Sequence, residues 1–336
     1  MRSRVRYDEP VRPWGRYGWQ TVNGFVEHEP DYGLTATPQN GMHQTTHMLY
    51  GSFYAKKTNT YYAAIRHYNV SGALSIQLYK AEPGQDFKYQ KQGAQAYRGG
   101  CYGGRKRGDR WGVWDLVSDA EHQRFTLNVA EDGTTHWLER DLLEVEGHQV
   151  GDVMQSVVLD AVSPLGYTSR GIRVHGQVMG DEVEGFFFQD FFHLGQGQDW
   201  MVTDFFNGVQ GIWIVSATEF DDGGWEITNF FGGEGGFWSA MVQNSEGERI
   251  CATEMELDVK MDEHDYANYA RFTLPDGQAW EWTPRFEDGT PRMPVMNVPG
   301  SPKWNEGVLL KVGETRQWKL SEAWMETYPP TLAKIL

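Results

Sequence analysis

The sequence predicts an all-β protein with two domains, and three observations carry that prediction. Its 336 residues include 14 Trp, 16 Tyr, 17 Phe and 39 Gly, and this combination favours strands and tight turns over helices. Short runs of strand-forming residues recur with turn signals every ~8–12 residues. Long amphipathic helical patterns, which a βαβ sheet needs between its strands, are missing.

The individual strands can be read in chain order. The predicted strands are 60–67 (TYYAAIRH), 73–79 (ALSIQLY), 112–117 (GVWDLV), 124–129 (RFTLNV), 211–217 (GIWIVSA) and 225–231 (WEITNFF). Turn signals between strands are EPG at 82–84, EDG at 131–133, DDGG at 221–224, NSEG at 244–247 and PDG at 275–277. The window 259–270 allows at most one or two helical turns.

A repeated hairpin pattern indicates two related domains. RFTLNVAEDGTTHWL (124–138) and RFTLPDGQAWEW (271–282) share Arg-Phe-Thr-Leu followed by Asp-Gly and Trp, and ATEFDDGGWEI (217–227) is a third strand–turn–strand unit. The chain is also long for one hydrophobic core. The segment 162–173 (VSPLGYTSRGIR), with one Pro and two Gly, is the best candidate for a join, which predicts domains 1–168 and 169–336.

Charge and composition exclude several classes of function. The net charge of −16 argues against nucleic-acid binding, which needs a surplus of Lys and Arg, and against anionic membrane surfaces. No apolar run reaches the ~18 residues of a transmembrane helix, and MRSRVRYDEP is not followed by the apolar stretch of a secretory signal. With two cysteines, Cys101 and Cys251, we expect neither a disulfide framework nor a cysteine-built zinc site. A cytoplasmic monomer or homodimer fits best.

The stretch GFFFQDFFHLGQGQDW (185–200) places Asp190 and His193 among five phenylalanines. A carboxyl walled by Phe186, Phe188 and Phe192 has its pKa raised by desolvation and becomes a proton donor near neutral pH. On a strand, Asp190 and His193 face opposite sides, whereas at a strand-to-loop exit they converge. The alternative is structural: the aspartate fixes the loop through backbone N–H groups, with His193 as its partner.

A second cluster, NGMHQTTHMLYGSFY, contains His43, His47 and Tyr50. A His-x-x-x-His spacing suits a metal on a helix, but Thr45 and its neighbours favour extended structure. No third carboxylate or cysteine lies nearby in sequence, so we expect no metal. The remaining alternatives are a strand that presents the two histidines into a pocket and an ordinary barrel strand.

Two acidic stretches allow both a functional and a structural interpretation. In GQDWMVTDFF, Asp199 and Trp200 follow a glycine-rich approach that lets the backbone come close to a ligand, although Asp199 is equally suited to cap a turn. The carboxylates of 254–258 (EMELD) alternate as in a glycoside hydrolase strand, but a solvated strand face explains them better. Nucleophile-elbow and phosphate-loop motifs are missing, so we expect no cofactor.

A spaced pattern follows the predicted join: Val174-His175-Gly176, Gly185, Asp190, Asp199-Trp200, and then Trp213 with an Asp-Asp-Gly-Gly turn. Over roughly residues 170 to 290 it resembles the second domain of the hydroxyneurosporene-synthase (carotenoid hydratase) and AttH-type superfamily, with Phe191-Phe192-His193 in place of the usual tail after the aspartate. The resemblance implies two lipocalin-like antiparallel β-barrels side by side. It also implies terpenoid, polyketide or other lipophilic substrates, and chemistry such as hydration or cyclisation.

These observations together predict a cofactor-independent acid–base enzyme: a hydratase or dehydratase, an isomerase, or a cyclase acting on a hydrophobic terpenoid, polyketide or aromatic molecule. Asp190 is the expected proton donor, with His193 or His47 as its relay. The residues expected to contact substrate are His43, Tyr50, Phe188, Asp199, Trp200 and Trp213. The alternatives are a non-catalytic carrier of lipophilic ligands, which needs only a dry cup, and a carbohydrate-active β-sandwich hydrolase.

Overall fold

The computed structural model describes residues 20–26, 42–69, 72–73, 76–90, 101–107, 110–115, 124–130, 132–159, 164–195, 210–293 and 302–336. Two curled antiparallel half-barrel sheets lie side by side, which confirms the predicted two-domain, lipocalin-like all-β fold. Apolar and polar residues alternate along many of the strands, so each sheet has one face toward its own interior and another available for packing.

Among the described residues, the first sheet contains thirteen strands, all from the first part of the chain. They are β1 Gln20–Val26, β2 His43–Ala55, β3 Thr60–Asn69, β4 Gly72–Ala73, β5 Gln77–Ala81, β6 Lys88–Tyr89, β7 Cys101–Arg107, β8 Arg110–Asp115, β9 Phe125–Ala130, β10 Thr134–Glu139, β11 Leu143–Leu159, β12 Leu165–Val178 and β13 Asp181–Leu194. The main path runs β6-β5-β3-β2-β13-β12-β11-β10-β9-β8-β7, with β1 on β11 and β4 on β3.

In the part of the chain that the structure describes, the second sheet contains ten strands. They are β14 Gln210–Phe220, β15 Trp225–Gly233, β16 Phe237–Asn244, β17 Arg249–Ala252, β18 Glu256–Met261, β19 Ala267–Thr273, β20 Ala279–Pro284, β21 Arg292–Met293, β22 Lys303–Lys311 and β23 Trp318–Thr327. Their order is β17-β16-β15-β14-β23-β22-β20-β19-β18, with β21 on β22. A 3₁₀ turn, Glu234–Gly236, and the helix α1, Pro329–Ile335, complete the described chain.

The change from one sheet to the other occurs between Leu194 and Gln210, because β13 still pairs with β2 and β12. The sequence-based division between residues 168 and 169 therefore falls inside the continuous strand β12. The Pro and Gly residues of 162–173 stand before and within that strand and do not form a linker there. Strand β12 tolerates its two glycines because it is hydrogen-bonded to β11 on one side and to β13 on the other.

Local predictions hold for the repeated hairpins: 124–138 forms β9–β10 and 271–282 forms β19–β20. The window 259–270 differs from the sequence-based allowance of one or two helical turns. It belongs to the antiparallel hairpin β18–β19, and exposed and half-buried residues alternate along β18. Period-two alternation at an edge strand outweighs the weak helical propensity of this window. The acidic residues of 256–258 lie on the exposed face of β18.

The two sheets pack through a shared aromatic core. Phe186, Phe188 and Phe192 of β13 belong to a buried cluster that also contains Trp213 and Trp324 of the second sheet. The neighbouring phenylalanine, Phe187, points instead into the interior of the first half-barrel. Strand β13 is thus buried on both faces, which explains its nearly continuous run of apolar residues.

A second contact between the sheets depends on a bulge in β11. Gly151 has a φ of 67° there, and the side-chain amide of Gln243 in β16 would collide with a Cβ at this position. That amide accepts from the backbone N–H of Asp152 at 2.8 Å and donates to its carbonyl at 2.7 Å. The contact therefore requires glycine at position 151.

Within the described ranges, none of the helices has the length and apolar character needed to traverse a bilayer.

Candidate active site

Asp190 lies on the face of β13 that points toward the second sheet. It is opposite Ser169 in β12 and Met48 in β2, and its side chain has no exposed surface. The same alternation that places Phe188 and Phe192 in the shared core places the carboxyl among them. The sequence-based expectation of an acid surrounded by aromatic rings agrees with this placement.

Two phenols and one amide organise the carboxyl. Tyr50 Oη donates to Asp190 Oδ2 at 3.0 Å, and Tyr167 Oη donates to the same oxygen at 2.8 Å. Asn229 Nδ2 of the second sheet in turn donates to Tyr167 Oη at 2.9 Å. Because Tyr167 accepts from the amide, its own proton is directed at Asp190. Three strands of the first sheet and one of the second thus fix a single oxygen atom.

Burial dominates the acidity of this carboxyl. Desolvation raises the pKa of Asp190 to about 7, against the opposing influence of Ser169, Tyr167 and Tyr50. Burial likewise raises the pKa values of Tyr50 and Tyr167 well above their usual range, and the Asp190 carboxylate adds to the effect. Both phenols therefore remain protonated donors, and Asp190 exchanges its proton near neutral pH.

Aromatic rings from both sheets enclose Tyr50. Phe188 stacks on it at 5.7 Å between centroids, and Trp213 and Trp324 meet it edge-on at 5.5 and 5.6 Å. Three predicted residues, Tyr50, Phe188 and Trp213, therefore lie together beside Asp190. The arrangement excludes water and places π faces where a developing positive charge would be stabilised.

A second acid, Glu326 of β23, faces the same region from the second sheet. It is paired with Trp213 in β14 and Trp304 in β22, so it lies on the strand face that looks toward Asp190. Tyr328 Oη donates to its Oε2 at 3.1 Å. Desolvation raises the pKa of Glu326 to about 7, and the Asp190 charge contributes to the rise. Glu326 is half-buried, whereas Asp190 is wholly buried.

Some buried polar atoms around Asp190 make no hydrogen bond of full geometry among the described residues. They are Asp190 Oδ1, Asn229 Oδ1 and Trp213 Nε1. Buried polar atoms are normally paired, so this group indicates a surface able to meet a polar ligand or water. Cavities of about 190 and 420 Å³ lie between described residues, and Asp190 does not line either of them.

The predicted histidines are not brought to Asp190. His193 and His47 are buried on the opposite face of the first sheet, where Phe191 contacts both rings at centroid distances of 6.3 and 5.6 Å. The reason is parity: β13 continues as a regular strand through Leu194, so an odd offset of three reverses the direction of the side chain. The structure therefore does not bring either histidine to Asp190, as the relay expected from the sequence requires, and the charge of Asp190 acts instead on Glu326.

The other predicted contacts have different outcomes. His43 is exposed at the start of β2 and lies away from the buried network. Asp199 and Trp200 lie outside the described residues, so their placement stays a prediction. In the described ranges, no group of three or more His, Cys, Asp or Glu residues is arranged to hold a metal ion.

Sequence reasoning missed Glu326, Tyr167 and Asn229. A signal for the first exists in LSEAWMET (320–327), where Glu322, Trp324 and Glu326 occupy alternate positions of one strand. Acids that flank a tryptophan on a strand face are unusual when that face is buried. The other two residues have no local signal, because Tyr167 and Asn229 act through a contact between the sheets.

No family model matches the chain, and none of the curated proteins matches it. Among solved structures, it is similar to a protein of Nitrosomonas europaea provisionally assigned as AttH, with a TM-score of 0.52 and 12% identity over 91% of this chain and 97% of that one. It is also similar to kievitone hydratase from Nectria haematococca, with a TM-score of 0.41 and 8% identity over 88% and 92% of the two chains. The first similarity shows that the double half-barrel fold is shared.

Proposed function

We propose that this protein is an enzyme that performs acid–base chemistry on a lipophilic small molecule bound between the two sheets, with Asp190 as the proton donor. The reaction is a hydration or dehydration, or an isomerisation or cyclisation that begins with the same protonation. The observation that carries the proposal is the Asp190 network: a wholly buried carboxyl with a pKa of about 7, held by two phenols.

The network also determines which oxygen carries the proton. Oδ2 already accepts two hydrogen bonds, from Tyr50 and Tyr167, so the acidic proton resides on Oδ1. Oδ1 makes no hydrogen bond of full geometry among the described residues, and Ser169 is its polar neighbour, so its proton can be presented to a substrate. In a hydration, this proton is added to an alkene carbon, and the carbocation that results is stabilised by nearby aromatic faces until water attacks it.

Glu326 is the proposed base of the same reaction. A carboxylate that shares the field of Asp190 from the opposite sheet is suited to accept the proton that the attacking water loses. The two acids have similar pKa values, so one is protonated while the other is ionised over part of the neutral range. Dehydration follows the same steps in reverse.

Membership of the carotenoid hydratase and AttH-type superfamily, and a terpenoid, polyketide or aromatic substrate, belong to this proposal. They are supported by the residue pattern of 174–213 and by the shared fold. A non-catalytic carrier is the rival, since the same aromatic lining would serve it. Two convergent titratable groups in one apolar region favour the enzyme.

The test uses the isosteric variant Asp190→Asn. Wild-type protein is incubated in D₂O with a panel of isoprenoid alkenes and tertiary alcohols, and mass spectrometry follows the gain or loss of water and of deuterium. We expect Asp190→Asn to lower turnover by about 100-fold or more, since general acids contribute about 10²–10⁴-fold.

The matched control is Glu226→Gln. Glu226 is also buried with a pKa raised to about 7 by desolvation, but it accepts from Trp280 Nε1 inside the second half-barrel, away from the shared core. This variant should keep near-normal turnover. Turnover by Asp190→Asn at the wild-type rate would contradict the proposal, and tight retention of a panel compound without conversion would favour the carrier.

A further inference from the structure

A separate cavity of about 190 Å³ lies between the two sheets, at the side where β2, β3 and β13 meet β23. Its walls include Phe186 and Tyr61 of the first sheet and Trp318 of the second, and Trp318 is exposed at 41%. Cavities of about 150 Å³ accommodate a benzene molecule, so this one has room for a ligand with a single ring. The lining of the cavity is mostly apolar, and one end of it is polar.

Glu322 forms that polar end. Its side chain is 1% exposed and lines the cavity, where Ser52 of β2 faces it from the opposite sheet. Neither carboxyl oxygen nor the Ser52 hydroxyl meets the geometry of a full hydrogen bond among the described residues. A buried carboxyl with only weak hydrogen bonds is costly, because they do not offset its desolvation. These two groups from opposite sheets indicate a site for a ligand.

The cation nearest to this acid is already committed. Arg285 donates from Nε to Glu306 Oε2 at 2.6 Å, from Nη2 to Glu306 Oε1 and the Ser321 carbonyl, and to the Gly307 carbonyl at 3.1 Å. Arg285 and Glu306 therefore balance each other, and Glu322 is an additional acid of the pocket with no cation of its own.

Lys319, the other cation of the lining, is half-exposed and pairs with Glu219. Neither cation of the lining is thus free to neutralise Glu322.

We propose that this cavity binds a small organic amine with one ring, whose ammonium group pairs with Glu322 and Ser52 while its hydrocarbon part packs on Phe186 and Tyr61. The Glu322 carboxylate offers about four acceptor sites, and an ammonium group brings three donors to fill them. A ligand that is itself a neutral carboxylic acid has one donor and would leave most of those acceptors unsatisfied. Once Glu322 has lost its proton, the cation balances the carboxylate charge, and the protein's net charge of −16 attracts cations in general. The site does not depend on Asp190.

Binding of the amine should release a proton. Burial raises the pKa of Glu322 well above its usual range, so the free protein holds it as the neutral acid. Pairing with an ammonium requires the carboxylate, so affinity should rise with pH for as long as the amine stays charged.

The experiment compares 2-phenylethylamine with 2-phenylethanol, which has the same frame without the charge. Titration calorimetry in two buffers of different ionisation enthalpy measures affinity and proton release, and Trp fluorescence reports on Trp318 at the cavity wall. We expect saturable binding of the amine, at least about tenfold tighter than the alcohol, as one charged hydrogen-bonded pair contributes.

Three variants complete the test. Glu322→Gln should lose about tenfold or more in amine affinity and keep its affinity for the alcohol. Glu226→Gln, a buried acid outside the cavity, and Asp190→Asn should both bind the amine as wild type does, which separates this site from the proposed catalytic one. Equal affinity for amine and alcohol, no binding of the amine, or full amine affinity in Glu322→Gln would each overturn the proposal. Thermal unfolding of Glu322→Gln verifies that the variant is folded.

Discussion

Two buried arginine–glutamate pairs of this protein differ in how their charges balance. Inside the first half-barrel, Arg66 and Glu139 are both wholly buried, and Trp137 Nε1 donates to Glu139 at 3.0 Å. Between the sheets, Arg285 and Glu306 form an equivalent pair, but Glu322 lies beside them as an additional acid. The first group is neutral, whereas the second has one acid too many.

The difference teaches where to look for function. A buried pair whose charges cancel contributes to specifying the fold and leaves nothing for a ligand to satisfy. The acids that lack a cation, Asp190, Glu322 and Glu326, all lie on strand faces directed between the two sheets. Glu226 shows that a raised pKa alone is insufficient, because it lies inside the second half-barrel with a Trp280 partner. Position and surplus charge together distinguish the candidate sites.

The largest expected effect comes from breaking the balanced pair. Glu139→Gln leaves the Arg66 guanidinium buried without its counter-charge, and arginine cannot lose its proton. We expect the free energy of unfolding to fall by about 3–5 kcal/mol, measured by urea denaturation near neutral pH.

Glu322→Gln provides the contrast within the same experiment. It removes a surplus acid, so its free energy of unfolding should equal or exceed that of wild type. Equal destabilisation of Glu139→Gln and Glu322→Gln would contradict the expectation that a paired glutamate stabilises the fold and an additional one does not.

The next effect concerns stability against pH. The pKa of Asp190 is raised to about 7 in the folded protein, above its ordinary value of 3.8, so between these values the folded state binds more protons than the unfolded state. Wild-type stability should therefore fall as pH rises from about 4 to about 7, by up to about 4 kcal/mol from this group.

Asp190→Asn should reduce the loss of stability between about pH 4 and about pH 7, measured by denaturation at a series of pH values. Part of the loss should remain, because Glu226 and Glu326 also have raised pKa values. An identical slope in wild type and variant would mean that Asp190 does not titrate in this range.

The smallest expected effect is a shift in the pH dependence of activity when one of the two phenols that donate to Asp190 is removed. Tyr167→Phe removes a donor that stabilises the Asp190 carboxylate, so the pKa of Asp190 should rise further. The pH at which activity declines on the alkaline side should then move upward, with the protein still active. A pH–rate profile measures this shift, and Tyr79→Phe, a phenol that donates to Gln77 elsewhere in the first sheet, is the control. A downward shift would contradict the assigned hydrogen bond.

Much of the fold could be predicted because its signals are local. Asp-Gly turns and period-two alternation lie within a few residues of one another, and the hairpins at 124–138 and 271–282 follow from them. The division of the sheets was harder to predict. Strand β13 follows the predicted join, yet it pairs with β2 because residues more than a hundred positions apart form that ladder.

The site divides in the same way. The phenylalanines around Asp190 predict its burial, since they are neighbours in the sequence, but its partners Tyr50 and Tyr167 come from other strands. His193 failed as a partner because strand parity depends on where β13 ends, which the sequence does not mark. Glu326 was missed because its alternation with apolar residues is typical of an ordinary half-buried strand. The roles of all these residues stay predictions.

The bulge at Gly151 has a consequence for ligand selection. The Gln243 side chain hydrogen-bonds both the N–H and the C=O of Asp152, as the backbone of a neighbouring strand would. These two bonds restrain both the rotation and the separation of the two sheets at this point. A ligand that binds between the sheets therefore meets a separation that this contact helps to set. We therefore expect thickness, more than chain length, to determine which compounds enter.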